Sequence, residues 1–170
     1  MRADGTRNGK IINEVAGLKV AGYSDPFERR SAEAFRDRYD DRPNPAEQDK
    51  FTGWLQPLIG KVDIVMVHEP ALIGPALQVL KDDPPSRPLV FLVGHTHKAE
   101  LTEQPGVTVI NGGSIGAGGT GNLGDNTNLG IARFVYTLQP SFQPLAADLV
   151  SIDPGTGSSS ARRQRLDPDP

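Results

Sequence analysis

The 170-residue chain contains no cysteine. Disulfide staples, thiolate zinc sites and cysteine nucleophiles are therefore excluded, and any bound metal must rest on His, Asp, Glu or Asn. Aromatic residues are scarce, at 6%, while 19 Gly and 15 Pro reserve much of the chain for turns and loops. An excess of positive charge is also lacking. The formal net charge is -3, which argues against a broad nucleic-acid-binding surface. A phosphate-bearing substrate stays compatible with that charge, because a metal ion can supply positive charge locally. Long apolar runs are missing too. Val62–Val67 and Leu89–Val93 are the longest, far too short to span a bilayer, and MRADGTRNGK has none of the apolar stretch of a secretory signal. The expectation is a soluble chain, cytoplasmic by default unless an upstream part carries a membrane segment. What is present, 36% hydrophobic and 23% charged residues, suits one globular domain with a real core.

Along the chain, KIINEV and LKVAGY read as two extended segments separated by Gly17. Ser31 is a candidate N-cap for a charged helix running to about Tyr39. Pro45 suits the first position of the next helix, AEQDKFTGWLQPLI. That helix sets Phe51, Trp54, Leu55 and Leu58 on one side, for packing on a sheet, with Trp54 read as core. VDIVMV and PLVFLV are continuous apolar runs that predict buried strands, with a helix ALIGPALQVLKD between them. Further strands are expected in AELTEQ, VTVING, GIARFVYTL and LAADLVSI. The order, mixed α and β first and mostly β afterwards, predicts an α/β fold of layered sandwich type. Residues 1–153 are expected to form the domain. Residues 154–170, rich in Gly, Ser and Pro, are expected to be a loose tail with at most an edge strand through RRQRL.

The chain has only three His, and each lies at the end of a predicted buried strand. His68 ends VDIVMV; His95 and His97 follow PLVFLV as Gly94-His95-Thr96-His97. Sites in open α/β sheets form outside the carboxyl ends of strands, so the three imidazoles can share one crevice. In an extended segment, residues i and i+2 point the same way, which would aim His95 and His97 at one centre or two adjacent ones. Neutral imidazole is a common ligand for first-row divalent metals. Three hydrogen-bonded surface histidines would be the unremarkable alternative, but their shared placement favours a metal site.

VDIVMVHEP, FLVGHTHKAE and VTVINGGSIG, in this order, resemble the last motifs of the calcineurin-like phosphoesterases: a strand ending in His, G-H-x-H, and an N-x-G-S-like turn. LKVAGYSDPFERR is similar to a strand and D-P turn in the middle of such domains. The resemblance covers roughly residues 17–150. It implies an α-β-β-α sandwich with mixed sheets, of which this chain would be the C-terminal half. It further implies hydrolysis of phosphomonoesters or diesters with two divalent ions (Mn, Zn or Fe), His68 and His95 binding one and His97 the other. The family's upstream D-x-H, G-D-x-x-D and G-N-H-[DE] motifs do not occur here. The bridging aspartate and the His that assists the leaving group thus have no counterpart, and no catalytic residue beyond the ligands is assigned. The chain is therefore expected to be inactive alone and to need an upstream half, fused or supplied as a complementing partner. Two alternatives stay open: a non-catalytic metal-binding or interaction remnant, and a mononuclear His₃ hydrolase site.

Five other residues are candidates for supporting roles. Glu69 is placed to orient an imidazole or to serve as the acid of a helix N-terminus. Asn111 is expected to shape the strand end beside the site. Asp25, Arg29 and Arg30 lie in a loop able to face the metals, where the Arg pair would suit phosphate; an ordinary solvated helix start is the alternative that the residues favour. The Gly-rich stretch after Ser114 lacks the Lys-Ser/Thr pair of a P-loop and reads as a flexible connection.

Overall fold

The computed structural model describes residues 11–24, 45–115 and 129–166. The expected helix over 31–39 and the candidates Asp25, Arg29 and Arg30 lie outside them. A hairpin opens the described chain: β1 (Ile12–Val15) and β2 (Leu18–Tyr23) pair antiparallel, with Val15 opposite Leu18. Its two-residue turn places Ala16 at φ 52° and Gly17 at φ 81°, positive angles that match the twist of paired strands. A Cβ on Gly17 would lie 2.7 Å from Leu138 Cδ1, so glycine answers both the angle and the space.

Helix α1 (Pro45–Leu55) ends in a 3-10 turn over Gln56–Leu58. The expected single helix is thus cut short, because Pro57 has no N–H to continue the ladder. Strand β3 (Ile64–Val67) follows, then a 3-10 turn (Pro70–Ile73) and α2 (Gly74–Asp82). Here too a proline, Pro75, takes the first turn of the helix and divides the run read as one element. β4 (Leu89–Val93), β5 (Ala99–Gln104) and β6 (Val107–Gly112) complete a six-stranded sheet of order β1-β2-β3-β4-β6-β5. β2, β3, β4 and β6 are mutually parallel, and β1 and β5 are antiparallel edges. The parallel interior explains the continuous apolar runs, since both faces are covered.

One face packs on the helices through Val65, Val67, Phe91, Phe51, Leu55, Ala76 and Leu80. Trp54 sits in this layer, 5.0 Å from Tyr23 and 5.7 Å from Phe51 between ring centroids. The other face packs Leu18, Ile64, Val90 and Ile110 against Phe142, Ala147 and Leu166. Those belong to a second, antiparallel sheet and its flank, β7 (Leu129–Thr137), β8 (Gln143–Ile152) and β9 (Ser159–Arg165). Among the described residues the layers are therefore α-β-β, as the α/β sandwich reading requires.

The expectation of a loose tail after residue 153 needs correction. β9 pairs with β8 along its whole length, and Leu166 is 7% exposed. SSARRQR has a single small apolar residue, Ala161, and no alternation to announce a strand; its order comes from the β8 ladder, the Arg163–Asp148 pair and the Gln164 contact with Glu103.

A candidate metal centre at the strand ends

Because β3 and β4 are parallel neighbours, with Met66 opposite Leu92, their carboxyl ends emerge side by side. His68 follows the first and Gly94-His95-Thr96-His97 the second. The Gly94 N–H donates to the His68 carbonyl at 3.0 Å. A Cβ on Gly94 would stand 3.2 Å from His68 Nδ1, so a larger residue there would push the His68 ring aside by a few tenths of an ångström. With glycine in place, the His68 and His95 rings meet edge to face, centroids 5.4 Å apart at 88°. Both side chains are exposed. His68 borders an open groove of about 510 Å³, lined by Val20, Met66 and Leu92 and reaching Gly94. The second sheet leaves this part of the face uncovered: Met66 is 51% exposed.

The G-H-T-H segment itself is not extended. His95 and His97 have φ of 66° and 59°, and the Thr96 N–H turns back to the Gly94 carbonyl at 2.8 Å. The i, i+2 geometry expected of a strand does not hold there. His97 accordingly does not join the other two: among the described residues no three His, Asp or Glu side chains are gathered closely enough to hold one ion. Positive φ costs about 1 kcal/mol or more for a residue with a Cβ, so other contacts must impose it. Asn111 supplies them. Buried to 4% exposure at the end of β6, it donates to the Gly94 carbonyl (2.9 Å) and to Thr96 Oγ1 (2.7 Å). Its Oδ1 accepts from the Gly113 N–H (3.1 Å). Asn111 thus clamps the turn with its amide and does not face the groove as a free group.

Glu69 is buried to 6% exposure. Its Oε1 accepts from the Ala71 N–H at 2.9 Å, capping the 3-10 turn, and its Oε2 lies 3.3 Å from His95 Nε2. Both roles weighed for it from the sequence, imidazole partner and acid of a helix start, are therefore occupied at once.

The donor set suits a divalent ion in part. Two imidazoles on one tetrahedral ion, with metal–nitrogen distances of about 2.0–2.1 Å, would hold their centroids about 5 Å apart. The His68–His95 pair has that spacing, whereas a third donor is not assembled beside it.

The calcineurin-like phosphoesterase superfamily domain matches residues 11–127. No curated protein matches the chain. Among solved structures, vacuolar protein sorting 29 from Cryptosporidium parvum is 12% identical with a TM-score of 0.39. The wild-type Vps29 of Entamoeba histolytica, complexed with Zn²⁺, is 16% identical with a TM-score of 0.37. The matches cover 93% and 92% of this chain but only 56% and 59% of those two proteins. A conserved predicted phosphoesterase from Streptococcus pneumoniae TIGR4 is 11% identical with a TM-score of 0.30, over 74% of this chain and 94% of that one. No helix among the described residues is long and apolar enough to cross a membrane.

Proposed function

The chain belongs to the calcineurin-like phosphoesterase superfamily, and from that premise we propose that it serves metal-dependent hydrolysis of a phosphate ester. The observation that carries this reading is the His68–His95 pair, set edge to face at 5.4 Å where two parallel strands end. In the proposal His68 and His95 hold one divalent ion (Mn, Zn or Fe) and His97 contributes to a second. Such ions, when bound, supply Lewis acidity toward a phosphoryl oxygen and toward the water that attacks phosphorus. The residues' own work is positional. Gly94 permits the close approach, Asn111 holds the turn that carries His95 and His97, and the open groove beside His68 admits the substrate.

Two cations a few Å apart repel strongly unless an anion lies between them. Glu69 is the buried carboxylate nearest the pair among the described residues, and both its oxygens are engaged. We therefore assign the bridging carboxylate to a complementing segment, fused or on another chain. The fact that the described residues gather no three-donor group favours a second reading, in which the chain binds metal without turning over substrate.

Zn²⁺ or Mn²⁺ titration of residues 1–170 by calorimetry tests the first step. Binding should fall by at least tenfold in His68→Ala and in His95→Ala, since each removes one of few protein donors. No binding, or binding indifferent to both substitutions, removes the metal reading. Hydrolysis of bis-nitrophenyl phosphate separates the two functions. Little turnover is expected from the lone chain, and His97-dependent turnover once a segment with the missing carboxylates is added. Efficient hydrolysis by the lone chain that is sensitive to His68→Ala would favour a mononuclear site.

A further inference from the structure

Glu69 is a buried acid with two acceptor oxygens and two different partners. One oxygen is committed to the backbone: Pro70 has no N–H, so Ala71 is the first donor of the 3-10 turn, and Oε1 accepts it at 2.9 Å. The other oxygen lies 3.3 Å from His95 Nε2, a separation that a small ring rotation turns into a hydrogen bond. An ionised carboxylate can only accept, so this contact favours a proton on Nε2. A neutral imidazole carries one proton, and placing it on Nε2 leaves the lone pair on Nδ1. The His95 backbone, held at φ 66° by the Gly94–Asn111 clamp, limits the freedom of the ring to escape this partner.

We propose that Glu69 is a positioning residue that fixes His95 as the Nε2–H tautomer, so that Nδ1 is the nitrogen it offers to a divalent cation. The proposal rests on the metal-binding reading for its last clause and stands independently of it for the first. A glutamine cannot replace this acid, although it has the same shape. It has one acceptor oxygen, which can serve Ala71 or His95 but not both. The direct adjacency of Glu69 to His68 also means that one strand end supplies both a ligand and the group that orients its neighbour's ligand.

Long-range ¹H–¹⁵N spectra of the full chain labelled at histidine read the tautomer without any metal. The expected result is a protonated Nε2 and an unprotonated Nδ1 on His95, and a shift toward the Nδ1–H tautomer in Glu69→Gln, whose amide nitrogen would donate to Nε2 while its oxygen stays on Ala71. Adding Cd²⁺ as the probe should perturb Nδ1 of His95, and Zn²⁺ affinity should fall by about 10- to 100-fold in Glu69→Gln, while thermal stability stays near that of the unmodified chain because the cap survives. A protonated Nδ1 in the unmodified chain, cadmium coordination through Nε2, or a tautomer unchanged by Glu69→Gln would each overturn the proposal. The unmodified protein alone decides the first two, whatever the variant does. Failure of the metal reading is read separately, as a lack of cadmium response at all three imidazoles.

Discussion

Two carboxylates are buried at opposite ends of β3, Asp63 before it and Glu69 after it, at 4% and 6% exposure. Each accepts one backbone N–H: Asp63 Oδ2 from Lys19 at 2.8 Å, Glu69 Oε1 from Ala71 at 2.9 Å. They differ in what faces the second oxygen. Asp63 Oδ1 meets the Arg87 guanidinium at 3.2 Å, and Arg87 also donates to the Gly60 carbonyl at 3.3 Å. Glu69 Oε2 meets an imidazole at 3.3 Å. A guanidinium is permanently charged and has no lone pair to offer, so the pair it makes is purely a fastening. An imidazole keeps a second nitrogen for other work. Equal burial thus serves stability at the amino end of the strand and sits against an imidazole at the carboxyl end, where sites in parallel sheets form.

Replacing each acid breaks or sharpens that contrast. Asp63→Ala leaves the Lys19 N–H without its acceptor and frees Arg87, which is 41% exposed and can turn to water. That escape limits the loss to about 2–3 kcal/mol, visible as a lower urea midpoint with an unchanged slope. Zn²⁺ affinity should stay within twofold. In Glu69→Ala the order reverses: about 1 kcal/mol of stability goes with the cap, and metal affinity falls by tenfold or more. If Asp63→Ala weakens metal binding as much as Glu69→Ala does, the two ends of β3 are not functionally distinct.

Asn111 sits between these cases, as a buried neutral clamp on the same strand ends. Asn111→Ala deprives the Gly94 carbonyl of one of its two donors and the Gly113 N–H of its acceptor, at a cost of about 2 kcal/mol. It also releases the positive φ of His95 and His97. We expect faster amide exchange across residues 94–97 and weaker Zn²⁺ binding with every histidine intact. Unaltered exchange there would mean that the turn holds itself.

Much of this arrangement could be read from residue order. VDIVMV and PLVFLV announced buried strands because burial on both faces leaves no room for alternation. The three histidines were legible as a strand-end group for the same reason. Their local geometry was not, since left-handed φ at His95 and His97 is imposed by Asn111 from 14 and 16 residues away, and propensity carries no such signal. Asp63 passed unnoticed because a lone acid before a strand looks the same whether its partner is water or a distant Arg87. β9 was half seen: RRQRL has the length of a strand but its pairing depends on β8, not on its own pattern.

A third acid supplies the exposed limit of the comparison. Asp148 in β8 lies across neighbouring strands from Arg163, bound through 2.7 and 3.0 Å hydrogen bonds, and from Arg133 at 3.5 Å. Arg163 is the main cause, with Arg133 adding to it, that the Asp148 carboxyl is held below its ordinary 3.8, while burial opposes the shift. A lowered folded-state value means that the unfolded chain binds the proton more readily, so stability rises with pH across that interval. The contribution is present in full above the ordinary value and is lost as pH falls through the lowered one. Exposed pairs of this kind contribute little, and salt screens them. Arg163→Gln should therefore raise the acid-unfolding midpoint slightly, with no change in stability between pH 6 and 8 larger than that of an ordinary surface substitution. The shift should shrink in 1 M NaCl. An equal shift in high salt would assign the β8–β9 contact to packing of the Arg163 stem and the backbone ladder, and would leave charge pairing with no role on this face of the sheet.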